Sequence, residues 1–154
     1  MGLREWGIVG TGTREMDAIA SLSCAIVAPM APFRTLKVWQ HAQRLAIECG
    51  RAAKRFPDAD QKVLAVQLLR ASSSVPLNIA EGSARKGSKE FRRFLDVARG
   101  SLAEVESALE LAKDLEYIDA ADYARLDAIA TETAKTLWDL LRKVGDAAMR
   151  HPTP

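Results

Sequence analysis

From Thr35 onward apolar residues return every three or four positions, the period of helices with one buried face. Trp39, Ala42, Ala46, Cys49, Ala53 and Phe56 predict a first helix with a heptad seam. Lys37, His41, Arg44, Glu48, Arg51 and Arg55 recur on its opposite face. Pro57 ends it, because the residue before a proline is pushed out of the α region. Asp58 and Gln61 have the form of a capping pair for a second helix, which runs on Leu64, Leu68, Ala71, Val75 and Ile79. Pro76 falls inside this pattern and removes the bond to the carbonyl of Ser72, so a kink rather than a break is expected. Ser72, Ser73 and Ser74 are placed to satisfy the freed backbone groups. Gly82 fits the left-handed position that closes a helix.

SARKG at 83–87 reads as a short loop and Ser88 as the cap of a third helix. That helix runs on Phe91, Leu95, Ala98, Leu102, Val105, Leu109 and Ala112, to about Leu115. Gly100 lies within it, at a cost of about 1 kcal/mol against alanine, which implies close packing there. Ile118 before Asp119 has the look of a staple before an N-cap. The fourth helix follows on Leu126, Ala130, Thr133, Leu137, Leu140 and Val144 and frays near Gly145. Four such helices with short connections predict an all-α, antiparallel up-down-up-down bundle with a Pro-kinked second helix. The expected organisation is a poorly ordered extension at 1–32, a bundle domain at 33–146 and a tail at 147–154.

Composition agrees with a helical, globular domain: 154 residues, 48% hydrophobic and 27% charged. Cys24 and Cys49 have no metal-ligand spacing and apolar neighbours, which fits reduced thiols in the cytoplasm. No run approaches the roughly 20 apolar residues of a membrane span. The apolar stretch 16–32 lacks the basic lead-in of a signal peptide, since Glu15 and Asp17 stand there. Gly10 and Gly12 lack a third glycine and a βαβ unit, so a dinucleotide loop is excluded. Met30 directly precedes the regular part, where an alternative start would fall.

Chemistry is sparse. A di-metal bundle needs Glu-x-x-His pairs, and neither His41 nor His151 has a glutamate three residues earlier. His41 reads as a solvated residue. No G-x-S-x-G is present, so no catalytic residue, metal or cofactor is assigned. A carboxylate pair of Glu81 and Glu104, with Arg70 or Asn78 beside it, is the remaining enzymatic reading. Against it, polar groups near a kinked helix usually satisfy the backbone and one another.

Charge is segregated although the net charge is only +2. Residues 34–55 carry six Lys/Arg against Glu48, and residues 83–100 carry six against Glu90 and Asp96. Residues 104–132 hold nine acids against Lys113 and Arg125. Lys37, Arg44, Arg51, Arg85, Lys86, Lys89, Arg92 and Arg93 are the candidate phosphate contacts. No aromatics interleave with them, so stacking on single-stranded bases is unsupported. Basic and acidic faces that dock between identical subunits, or plainly solvated charged helix faces, are the competing accounts.

LKVWQHA at 36–42, QLLRASSSVPLNIAEG at 67–82 and SKEFRRFLDVARGSLAEVE at 88–106 carry a resemblance. FP at 56–57 and the late turn Leu115-Glu116-Tyr117-Ile118 add to it. Over roughly 34–144 the chain resembles the 23S rRNA intervening-sequence proteins, relatives of the accessory variability determinant proteins of diversity-generating retroelements. The resemblance implies a short antiparallel four-helix bundle in a homo-oligomeric ring, typically a pentamer, with a basic surface that in the retroelement relatives engages nucleic acid and a reverse transcriptase; structured RNA or other nucleic acid is the partner expected here. No catalytic activity comes with it, and no cofactor or membrane partner is expected. Its signature positions here are Arg70, Asn78, Glu81, Gly82, Ser88, Phe91, Gly100, Ser101 and Glu104, with Pro76 as a structural mark. The expected function is a non-enzymatic binding or scaffold module. A self-assembling structural protein is the alternative, ahead of an enzyme using Glu81 and Glu104.

Overall fold

The computed structural model describes residues 33–57 and 61–150. The 1–32 extension, Asp58 of the expected capping pair, and the terminal residues 151–154 lie outside them. Among the described residues the chain is entirely helical. A 3-10 turn at Phe33–Thr35 leads into α1 (Lys37–Ala53). A π turn at Gln61–Ala65 opens α2 (Val66–Ser83), followed by α3 (Ser88–Asp114) and α4 (Ala120–Arg150). Contacts join α1 to α2, α2 to α3, α3 to α4 and α4 to α1, a closed cycle around one core. Gln67 faces Glu104, Ser74 faces Ser101 and Gly82 lies under Phe91 and Phe94, so numbers rise along α2 as they fall along α3. The same holds for α1 and α4, where His41 lies beside Thr136 and Arg55 beside Asp122.

The apolar period places the core well in three helices. Leu64 and Ala65 of the π turn and Leu68, Ala71, Val75 and Ile79 of α2 are buried. So are Leu95, Ala98, Leu102, Val105, Leu109 and Ala112 of α3. On α4 the buried line is Leu126, Ala130, Thr133, Leu137, Leu141 and Val144, with Leu140 only half-buried. Of the expected seam of α1, Ala42, Cys49, Ala53 and Phe56 are buried, and two positions differ. Val38, Ala42, Leu45, Cys49, Ala52 and Ala53 face the core, whereas Trp39 and Ala46 are half-buried at its edge.

Local backbone chemistry corrects several expectations. Gly82 does not close α2; it is buried inside it. A Cβ there would stand 2.7 Å from Phe94 Cβ and 2.8 Å from Phe91 Cδ2, so the glycine serves close helix approach. The positive φ falls instead on Gly87, at 96°, directly before α3. Ser88 is therefore the first residue of α3, and no side chain caps that helix. Gly100 is exposed with open space where a Cβ would stand, so close packing within this chain does not account for it. Gly145 is buried against the guanidinium of Arg92, and α4 continues past it to Arg150.

At the end of α3 the N–H of Tyr117 reaches the carbonyl of Ala112 at 2.8 Å and that of Glu116 reaches Lys113 at 2.9 Å. This is a Schellman closure with Glu116, at φ 59°, in the place glycine usually takes. Asp119 then caps α4 by accepting the N–H of Asp122 at 2.7 Å, with Ile118 buried before it, as the staple pattern predicts.

Val63–Ser83 is long and apolar enough by composition to cross a membrane, contrary to the expectation that no run would be. Its apolar line from Leu64 to Ile79 is core, and its other faces carry Arg70, Ser73 and Glu81. Helix α2 also continues past Pro76, which is itself buried.

Candidate functional site

Three polar regions arise where the helices meet. The first is the end of the bundle made by the α2–α3 loop and the start of α1. Arg85, Lys86, Lys89, Arg92 and Arg93 are all exposed there. Arg85 pairs with Glu81 one turn back and lies 5.3 Å from the Phe94 ring centroid. Arg92 reaches Asp96 at 3.9 Å and Arg93 reaches Glu90 at 3.8 Å, both loose contacts. Lys37, Lys86 and Lys89 have no acidic partner among the described residues. The Gly145–Arg92 contact brings the last turns of α4 to this end, and Lys37 and Lys143 line one groove between α1 and α4. Lys143 is thus a member that the sequence did not single out, because only the α1–α4 pairing places it there.

The remaining two predicted contacts lie elsewhere. Arg51 is fourteen residues along α1 from Lys37, about 21 Å at the helical rise. It is tied to Glu48 at 2.6 Å. Arg44 lines a separate groove with His41, Arg125, Ala128, Ile129 and Glu132. His41 is half-buried there, its Nδ1 3.5 Å from the Glu132 carbonyl and the Thr136 hydroxyl, rather than simply solvated.

The second region is an ion network bridging α1 and α4 at the other end. Arg125 binds Glu48 and also reaches Asp122 at 2.9 Å, while Arg55 binds Asp122 from α1. The Arg125 guanidinium, hydrogen-bonded to both, holds the Glu48 and Asp122 carboxyls below the usual carboxylate range. Much of the basic face of α1 is therefore neutralised internally. Beneath it Cys49 is buried, and burial pushes its thiol up to about 12, which makes it unreactive.

The third region gathers most of the signature polar residues in a groove of ≈ 530 Å³ between α2 and α3. Ser74 is its hub. Asn78 Nδ2 donates to the Ser74 carbonyl at 2.8 Å and to its Oγ at 3.0 Å, and Ser101 Oγ donates to the same hydroxyl at 2.8 Å. Gln67 Nε2 donates to Glu104 at 3.4 Å, and Arg70 lines the groove without an ion-pair partner among the described residues. Ser74 and Gln67 are participants that the sequence pattern does not assign to a site. The network is an inter-helix clip, and Ser72, which donates to the Leu69 carbonyl at 3.3 Å, serves α2 itself.

Glu81 is not part of this groove. It lies fourteen residues from Gln67, about 21 Å along α2 from the partner of Glu104, and it is occupied by Arg85. The two carboxylates are not brought together, so the geometry needed for a paired acid and base is missing. Among the described residues no group of three or more His, Cys, Asp and Glu could hold a metal ion.

An all-α four-helix bundle with one lysine-rich end and a serine-centred clip defines a helical class rather than a reaction. Residues 34–139 match the 23S rRNA-intervening sequence protein family, and the chain belongs to that family. Among solved structures it is similar to a crystal structure of a protein of unknown function from the S23 ribosomal protein family of Bacteroides thetaiotaomicron VPI-5482. The two share 28% identity with a TM-score of 0.62, covering 68% of this chain and 97% of that one. No curated protein matches the chain.

Proposed function

We propose that this is a non-enzymatic, cytoplasmic binding and scaffold module that assembles as a homo-oligomeric ring, a pentamer by family resemblance. It holds structured RNA through phosphates at its basic end. The observation that carries this reading is the set Lys37, Lys86 and Lys89, exposed and without acidic partners among the described residues, two at helix starts and one in the α2–α3 loop. Arg85, Arg92, Arg93 and Lys143 widen the same surface, while Arg51 is consumed by Glu48. Such side chains neutralise phosphates and release counterions without reading base identity. Replacing Lys86, Lys89 and Arg93 by alanine is expected to flatten the dependence of log K on log salt by about 0.7–0.9 for each phosphate that is no longer neutralised. Unchanged affinity and slope in a salt titration on an RNA hairpin would remove the reading.

A structural protein that only assembles is the second reading, favoured by an apolar groove between α1 and α2. Ala46, Ile47, Pro76 and Leu77 line it, with Leu77 67% and Ile47 47% exposed. Assembly on this surface predicts an oligomer that survives molar salt in light scattering. Dissociation there would assign assembly to the basic and acidic faces instead.

A further inference from the structure

Trp138 lies on α4 with 56% of its surface exposed, one residue beyond the buried Leu137. It borders a groove of ≈ 250 Å³ between α3 and α4 whose apolar lining includes Leu102, Leu137 and Leu141. Ala103 and Ala134 are small enough to leave the groove open. Glu106 stands on the same groove and makes no hydrogen bond or ion pair among the described residues. Arg99, which also lines it, is held by Asp96 at 3.3 Å and does not serve Glu106. Burial and the neighbouring Asp127 raise the Glu106 carboxyl, so its charge is uncompensated from both helices.

We propose that this groove receives an arginine or lysine side chain of a basic polypeptide segment, its cation seated between the Trp138 indole and the Glu106 carboxylate. An indole face attracts a cation, and guanidinium is the less strongly hydrated of the two, so arginine is favoured. The aliphatic stem of the side chain covers Ala103, Ala134 and the indole, which border the groove above the buried leucines, while its head meets the acid. Glu106 and Asp127 repel a phosphate, which separates this surface from the lysine-rich end. An uncharged apolar segment would leave the carboxylate buried and unpaired, at a cost.

The test uses the full chain and a capped peptide with two arginines, compared with the same peptide carrying citrulline, which keeps the shape and removes the charge. Calorimetry is expected to show the citrulline peptide binding about tenfold more weakly, the scale of one desolvated cation–aromatic contact. W138A and E106Q should each lose at least about tenfold, while E104Q, on the other groove, should lose nothing. Circular dichroism melts of the variants keep loss of binding distinct from loss of fold. Equal binding of both peptides, equal binding by the variants, or no binding at all overturns the proposal. So does acrylamide quenching in which the signal absent from W138F becomes shielded as protein concentration rises without peptide, because a second copy then covers the groove.

Discussion

Two glycines on facing helices make opposite demands on the same substitution. A methyl on Gly82 would enter the space of Phe91 and Phe94, while a methyl on Gly100 would meet nothing. Gly82→Ala is therefore expected to destabilise by about 1–3 kcal/mol through overpacking, and Gly100→Ala to stabilise by up to about 1 kcal/mol through helix propensity. Urea unfolding of the two variants reads both signs at once. A loss in the second would mean that the outer face of α3 is covered by something outside this chain. The sequence pattern points to Gly82 as the terminator because Gly82 and Gly87, five residues apart, both suit one. Only the packing of two phenylalanines from the next helix decides between them, and that packing is not local in the chain.

At the scale of the element, legibility follows side-chain size. Leucines and isoleucine mark the buried faces of α2, α3 and α4, and their period alone places nearly every core position. Helix α1 is alanine-rich at Ala42, Ala46, Ala52 and Ala53, and a residue so small sits at a core or an edge with little difference in area. Trp39 then draws the seam off by one position, although its ring rests half-buried beside Phe33, their centroids 4.9 Å apart. The pairing of α1 with α4 is equally invisible, and with it the network of Glu48, Arg125, Asp122 and Arg55. That network has a pH signature. Both carboxyls are held below their ordinary range, so their contribution is present above the unfolded value near 4 and is lost as pH falls through the depressed values. Arg125→Gln is expected to cost about 0.5–1 kcal/mol at pH 7, the range for partly exposed ion pairs, and less at pH 2. Thermal melts at the two pH values check the difference.

For the whole molecule, the bundle and its family are readable from NIAEG through GSLAE, and the contiguous basic run at 85–93 needs no structure to find. What sequence does not supply is the partition of the remaining charges, since Lys37 joins that run only once the helices are paired, while Arg51, tied to Glu48 within α1, lies away from it. The same partition gathers Lys37, Lys86 and Lys89, which have no acidic partner among the described residues, at one end of the helix axes, and ties Arg55 and Arg125 to acids at the other. At the end that holds the network, guanidinium and carboxylate cancel within a few ångströms; at the opposite end, those three ammonium groups have no acidic partner among the described residues. A body charged in this way carries a lasting dipole despite a net charge of +2. A polyanion would turn it end-on before the two touch, so ionic strength acts first on how fast they meet and only later on how long they stay together.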